Sequence, residues 1–520
     1  VTRNRWWLVL VAVGAAGFLL RIGPVLVHGA FGASPDYDDG VNFSAAALLV
    51  QGVLPYRDFF YAHPPGGLLW LAPAALVGRA AGMDTGFALA GFMGAAAGAV
   101  NVVLLGRLGW RLWGPVAGLA AAGLYAVYPE ALVAERTTFM EPVLNLACLG
   151  MASVLLVGQP GGGRPGPGLS RRRVVVAGVL AGLAVTVKLW AVAWVVGALV
   201  GVAALRKAAA AARFLAAAAA AALAVTLPLA LASVGGFLRG VVLFQVRRPP
   251  DGVLPRGFRF YELLGFPGGQ WDVVAGRHAL TAVLALLGLV VAVAWARQPG
   301  RDAERLLAVA YVLTVAVFLA SRAYWAHYNA HLALVECALA GLAAGTAWGW
   351  VVGRARAPAR VVATVAGVSV LAVVVAAGIL SLRRGVGDAR TVTPELVALG
   401  HEVRALPAGE CLFSFEPTWG LAGGRAPSVA GGGVPVVPDP YGQMVWSAVA
   451  GGRRFAAVET ALADDAAQDE VVRLLGACRW AVLGWRGEWQ LSPASLEWFR
   501  SAYEPLEPGP SGVTIWKRRG

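Results

Sequence analysis

Charge is what this chain has least of. Asp, Glu, Lys and Arg make up 14% of its 520 residues against 58% hydrophobic, with a mean hydropathy of +0.66, which excludes an ordinary soluble domain. Histidine and cysteine are scarce as well, six and four in the chain. His28, His278, His331 and His401 stand at no metal-ligand spacing from cysteine or carboxylate, so no structural zinc site is expected. The glycine run Gly161–Gly163 lacks the Lys-Ser/Thr of a phosphate loop, which removes the usual cytoplasmic signature of nucleotide-dependent chemistry. Paired repeats are not evident, and ionisable residues are not placed in the middle of the apolar runs, as a transporter or lipid flippase would have them. That reading is kept as the alternative.

What is present is a series of apolar runs from Trp6 to Leu380, long enough to cross a hydrocarbon core, followed by a mixed, polar tail. The net charge of +14 falls in short clusters between those runs rather than along one polar face. It therefore points to membrane topology and not to nucleic acid. Placing Arg3/Arg5, Arg107/Arg111, Arg171–Arg173, Arg206/Lys207/Arg213, Arg297/Arg301/Arg305 and Arg354/Arg356/Arg360 in the cytoplasm orders about eleven spans. These lie near 6–27, 86–106, 113–133, 142–158, 174–188, 189–205, 214–233, 279–296, 306–321, 329–350 and 361–381. The run from Pro64 to Ala81 is read as a helix lying on the outer surface, because counting it as a span would invert every later cluster. The stretch "GQPGGGRPGPGLSRRR" is a flexible cytoplasmic linker. The fold class expected is an α-helical polytopic membrane protein with outer juxtamembrane helices and a small C-terminal extracytoplasmic α/β domain. Its parts are divided at 1–382 and 383–520.

With this topology Asp36, Asp38, Asp39, Arg57, Asp58, His63, Glu135, Arg136, Glu141 and Lys188 all reach the outer interface from separate segments. Ionisable groups at membrane depth are costly, so their gathering marks a functional site unless they are ordinary solvated loop residues. Carboxylates can accept a proton from a hydroxyl and cations can hold a phosphate leaving group. The combination suggests group transfer from a lipid phosphate. Arg21, interrupting the first apolar run, either pairs with one of these acids or snorkels outward. Lys188, at the end of an apolar helix, has the same snorkelling alternative.

Several of these segments resemble the C-type glycosyltransferase (GT-C) superfamily, which includes protein O-mannosyltransferases and lipid A aminoarabinose transferases. "YDDGVNFSAAALLVQGVLPYRDFFYAHPPGG" resembles the family's first outer loop, with Asp38 at the catalytic aspartate, Asp39 at its acidic neighbour, and His63 at a basic position before a surface helix. "ERTTFMEP" is similar to a second outer loop, in which Arg136 and Glu141 fit the pattern and Glu135 fits less well. "AGLAVTVKLW" resembles a helix end that carries a lysine, here Lys188. "SRAYWAHYNAHLAL" makes Tyr324, His327 and Tyr328 candidate donor contacts. The resemblance implies inverting transfer of a sugar such as mannose or arabinose from a polyprenyl-phosphate donor to an extracytoplasmic lipid, glycan or protein acceptor. Asp38 would act as base, with Asp39 and Glu141 in the catalytic group. Arg247 and Arg248 in "FQVRRPPDG" would meet either lipid headgroups or the donor phosphate. No cofactor is required, though the Asp38–Asp39 pair leaves room for a divalent cation.

In the tail, "CLFSFEP", "RWAVLGW" and "GVTIWKR" read as strands, and "TPELVALGHEVRAL" and "DDAAQDEVVRLLGA" as helices, which together make a partly parallel sheet. "LAGGRAPSVAGGGVPVVPDPYGQM" is a long loop of the kind that carries function. Trp419, Tyr441, Trp485 and Trp489 either pack in the core or stack on sugars. Cys411 and Cys478 are placed to bridge neighbouring strands or to stay free, while Cys148 and Cys337 belong to membrane helices as small apolar packers. The Ala/Gly/Arg/Val-rich composition points to a GC-rich bacterium, and so to its plasma membrane and cell-envelope acceptors, with the N-terminus inside and the tail outside.

Overall fold

The computed structural model describes residues 3–27, 37–156, 170–204, 208–252, 256–266, 278–354, 376, 380, 397–407, 409–425, 437–506 and 513–520. The expected span at 361–381 lies almost wholly outside these residues. So do His28, Asp36, most of the Gly/Pro-rich linker and the centre of the long tail loop.

Helices dominate because apolar chain in lipid must satisfy its backbone hydrogen bonds within each segment. Among the described residues six helices are long and apolar enough to cross a bilayer: Trp7–Leu26, Met83–Trp113, Ala208–Ala232, Ala279–Ala296, Asp302–Ala320 and Ala326–Val352. Shorter apolar helices include Gly66–Ala81, Pro115–Ala126, Glu141–Leu156 and Leu189–Val202. Small residues set the packing between neighbours. Ala208–Ala232 lies along Arg171–Val187, where a side chain at Gly178 or Gly182 would strike the backbone of Phe214 or Ala218. Lipid-phase helices approach closely in just this way.

Two expectations change. The span at 113–133 is not one helix: Pro115–Ala126 stops, Tyr128 is extended, and a short helix Pro129–Ala134 follows. Pro129 disfavours helical backbone at the preceding residue and lacks an N–H of its own, so twelve residues, roughly 18 Å, form the first piece. The basic-flanked helix at 86–106 is in turn longer than read, running over 31 residues from Met83 to Trp113. The run expected as a surface helix does form a helix, Gly66–Ala81, with Pro65 at its N-terminal boundary. It packs on Tyr37–Leu49 and Met83–Trp113, turning Leu68, Leu71 and Ala75 inward and Leu69, Leu76 and Val77 outward.

Arg21 is fully buried and bonds Glu135, its Nε standing 2.8 Å from Oε2. Tyr125 donates to Glu135 Oε1 at 2.6 Å. Gly98 makes room, since a Cβ there would meet both partners. Of the two alternatives for Arg21, pairing wins, because a charge among helices is tolerable only when neutralised and hydrogen-bonded. Glu135 is thereby committed to a structural pair rather than to the group at the helix ends.

The C-terminal region carries a four-stranded sheet of order β1-β2-β4-β3: β1 Leu412–Ser414, β2 Trp480–Leu483, β3 Tyr503–Pro505 and β4 Thr514–Arg518. β1 and β2 are parallel and the other pairings antiparallel. The partly parallel sheet is as expected, and β3 is the strand the sequence did not announce, being short and ending in Pro505 at the edge. Helices Pro417–Ala422, Pro440–Val449, Asp465–Gly476, Trp485–Gln490 and Pro493–Ala502 cover it. Trp419 is buried, whereas Trp485 and Trp489 stay exposed.

The parallel pairing brings the chain entering β1 beside the chain entering β2, and Cys411 and Cys478 form a disulfide with Cα atoms 4.8 Å apart. It closes a loop 67 residues long, which constrains the unfolded tail by about 4 kcal/mol. Thiol titration of denatured, unreduced protein should therefore find two thiols, Cys148 and Cys337, both buried in helices. Reductant should lower the denaturant midpoint of the tail, read by its tryptophan fluorescence. Four titratable thiols would contradict this.

Candidate functional site

Most of the side chains singled out in the sequence sit where a helix begins or ends, and these ends meet. Lys188 follows the last turn of Arg171–Val187 and Glu141 opens Glu141–Leu156. Their side chains join at 2.7 Å, the lysine 9% and the carboxylate 0% exposed. The ammonium also lies 3.8 Å from the Trp190 ring centroid and 5.0 Å from that of Tyr328. Lys188 is thus held by a carboxylate and two aromatic faces and does not snorkel. Trp190 was not singled out in the sequence, although it stands two residues after the lysine. Glu141 Oε2 is buried with no hydrogen-bond partner among the described residues.

Asp38 and Asp39 occupy the first turn of Tyr37–Leu49, where the helix dipole favours ionised carboxylates. The two differ in their surroundings. Asp39 is fully buried, its Oδ1 accepting from the Thr138 amide at 2.8 Å and from the Thr138 hydroxyl at 3.1 Å. It ties the first outer segment to the second. Asp38 keeps a side chain 43% exposed, with Oδ2 3.8 Å from His327 Nε2, a separation of attraction rather than of hydrogen bonding. His327 stacks on Phe139 at 4.3 Å and edges Tyr328 at 4.8 Å. Of the acidic pair, Asp38 is the carboxylate open to an incoming hydroxyl, and Asp39 is the strut.

His63 departs from its expected part. Burial, followed by the charges of Lys188 and Arg248, pushes its pKa down to about 3. Its ring is neutral at pH 7 and offers an N–H or a lone pair, not a charge. Tyr56, at φ 70°, donates to the His63 carbonyl at 2.7 Å and holds this segment. The two neighbouring arginines also separate. Arg248 donates to Asp251 Oδ2 at 2.6 Å and, through its charge, stands near His63, Tyr328 and Asp439. Arg247 turns away to the Ala450 carbonyl at 3.0 Å, in the C-terminal region. Arg247 is therefore not part of the group, because consecutive residues at a helix end point in different directions. Tyr324 packs beside the site with its hydroxyl committed to Asn329 at 2.8 Å. Arg136 lies half-buried in the turn between Pro129–Ala134 and Glu141–Leu156.

The C-terminal region closes one side, and its contribution was missed in the sequence apart from Tyr441. Asp439 accepts from the Tyr37 hydroxyl and the Gly442 amide, both at 2.7 Å. Burial raises its carboxyl pKa, against the lowering effect of these two donors. Tyr441 donates to Asp251 Oδ2 at 2.8 Å, sharing that carboxylate with Arg248. The only available signal was the spacing of "PPDG" and "PDPYG", turn sequences with a helix-capping aspartate in the second.

Among the described residues no group of three His, Cys, Asp or Glu side chains comes together to hold a metal ion. Asp39 Oδ1 is engaged by Thr138, and a hard divalent cation at the acidic pair would take oxygens of Asp38 and Asp39.

No family model matches the chain, and no curated protein matches it in sequence. Solved structures do. ArnT from Cupriavidus metallidurans bound to undecaprenyl phosphate is 14% identical over 99% of this chain and 98% of its own, with a TM-score of 0.62. The oligosaccharyltransferase AglB from Archaeoglobus fulgidus, in complex with an inhibitory peptide and a dolichol-phosphate, is 11% identical over 99% of this chain and 74% of its own, TM-score 0.58. A complex of the Archaeoglobus fulgidus oligosaccharyltransferase with Zn and sulfate gives 13%, 98%, 73% and 0.52. These likenesses establish the fold, which is GT-C, in a polytopic membrane protein with a small C-terminal sheet region.

Proposed function

We propose that this chain is a membrane glycosyltransferase that moves a sugar such as mannose or arabinose from a polyprenyl-phosphate carrier to a hydroxyl of a cell-envelope acceptor, with inversion. The observation that carries the reading is the meeting of one accessible carboxylate, Asp38, with the buried Lys188–Glu141 pair, His327 and Arg248 at one end of a GT-C bundle. A structure of the same fold holding undecaprenyl phosphate supports it.

In this reaction Asp38 takes the proton of the acceptor hydroxyl as its oxygen attacks the anomeric carbon. The bond from that carbon to the phosphate oxygen breaks on the opposite face, and the polyprenyl phosphate leaves with the electron pair. Lys188, Arg248 and Arg136 face the charge that builds on the phosphate, and low local dielectric makes each worth more than in water. Glu141 orients Lys188, and neutral His63 supplies a hydrogen bond. Tyr324 and Tyr328 shape the donor side. Asp39 acts by holding the Asp38 turn against Thr138.

Incubating the purified protein with a panel of polyprenyl-phosphate sugars and following release of the lipid phosphate tests the reading. Release from none of the panel, by protein that binds the carrier lipid phosphate, would remove it.

The division at 1–382 and 383–520 belongs to the same proposal, as does a bacterial plasma-membrane location with the C-terminal domain outside. The basic clusters orient it. A C-terminal reporter active only in the periplasm should light up, and one active only in the cytoplasm should stay dark; the reverse pattern would overturn the orientation.

A further inference from the structure

The turn carrying Asp38 is gripped by the C-terminal region at three points. The Tyr37 hydroxyl donates to Asp439 and accepts from the Tyr441 amide at 2.9 Å. Gly40 lies so close to the chain entering Pro417–Ala422 that a Cβ there would sit 2.8 Å from Pro417 Cβ, so the last residue of the "DDG" run is glycine because backbone passes over it. Third, the Arg486 guanidinium lies 4.6 Å from the Tyr37 ring centroid. It is itself anchored by Nε donating to Glu416 Oε2 at 2.5 Å and by the Trp485 ring at 4.7 Å. Glu416 and Arg486 are only 4% and 18% exposed.

We infer that Arg486 is a positioning residue for the proposed base: from the C-terminal region it holds the Tyr37–Gly40 turn and places a fixed positive charge facing Asp38. The inference rests on the glycosyl-transfer reading for its kinetic consequence and, for its electrostatic one, on the Arg486 guanidinium lying 4.6 Å from the ring of Tyr37, the residue next to Asp38. A cation on this side favours the ionised carboxylate of Asp38 and disfavours its protonation by the same amount, so the benefit to transfer lies in the held turn and not in a stronger base. Burial lowers the arginine's own pKa, but Glu416, Tyr37 and Asp38 together outweigh it and leave the pKa raised. Among the described residues His327, Tyr61 and Tyr328 also face Asp38, with Asp39 beside it in the chain. Arg486 brings a permanent charge. The tail is then part of the catalytic apparatus rather than a cover.

Two measurements on full-length protein in detergent test this. Asp38 is exposed enough to be labelled by a carbodiimide, which reacts with the protonated carboxyl. The pH midpoint of Asp38 labelling, read by mass spectrometry, should move up by about half a pH unit or more in Arg486→Gln. It should return toward the parent value in Arg486→Lys, which keeps the charge. A midpoint that stays put in Arg486→Gln, or that moves equally in both variants, overturns the inference whatever the reaction proves to be.

The second measurement is a double-mutant cycle for lipid-phosphate release from undecaprenyl-phosphate mannose and undecaprenyl-phosphate arabinose. Arg486→Gln should lower kcat on the order of tenfold with donor KM little changed, yet cost less than about twofold more in an Asp38→Asn background. Full additivity of the two losses overturns it. Near-parent turnover of Asp38→Asn alone would instead remove Asp38 as the base, a failure of the functional reading that the labelling experiment distinguishes from failure of the clamp.

Discussion

An Asp38→Asn protein should fold and bind donor but transfer sugar on the order of a hundredfold more slowly, or worse. The substitution keeps size and the ability to cap the first turn of Tyr37–Leu49, while the amide cannot accept the acceptor's proton. General base catalysis by a positioned side chain is usually worth about 10²–10⁴ in rate. Because Lys188 and Arg248 are untouched, undecaprenyl phosphate should bind the variant with near-parent affinity, and the loss should appear in kcat. Asp39→Asn makes the contrast. Its carboxylate is buried on the Thr138 amide and hydroxyl, so the change should cost stability as well as rate, through a displaced Asp38. Near-normal transfer by well-folded Asp38→Asn would transfer the base role to another carboxylate, with Glu141 next in line.

Lys188→Ala should lose both stability and donor binding, and the two losses can be separated. Removing the ammonium leaves the fully buried Glu141 carboxylate without its ion partner, an uncompensated buried charge that costs about 3–5 kcal/mol. Adding Glu141→Gln to Lys188→Ala neutralises that charge and should recover most of the thermal stability. Donor affinity and turnover should not recover, because the cation that faces the phosphate in both ground and transition states is still missing. Thermal unfolding and undecaprenyl-phosphate binding, measured on the single and double variants, check this. Recovery of donor binding along with stability would show that Lys188 serves only the fold.

How much of the site could be read in advance differs from residue to residue for physical reasons. Asp38, Glu141 and Lys188 were legible because an ionisable group at the end of an apolar run is expensive and therefore noticeable, and His327 only through the family resemblance of its segment. The difference between Asp38 and Asp39 was not, since it depends on Thr138 arriving from a segment 99 residues away. The neutrality of His63 depends in the same way on Lys188 and Arg248, and the turning away of Arg247 on the carbonyl of Ala450. Arg486 carried no signal and Asp439 only that of a helix-capping aspartate in a turn sequence, because charged residues in a polar tail do not stand out until the fold lays them on Tyr37.

By itself the sequence determined the membrane class, most of the helices and their basic flanks, a helix after Pro65, and the partly parallel sheet of the tail. These depend on local hydropathy, proline and alternation, which neighbours along the chain are enough to set. Only the tertiary structure decided that Arg21 neutralises Glu135, that Lys188 is caged by Glu141, Trp190 and Tyr328, and that the tail grips the Asp38 turn. Charge pairing and burial are pairwise properties of distant segments, and a buried charge takes its character from whichever partner the packing of the bundle brings within a few ångströms.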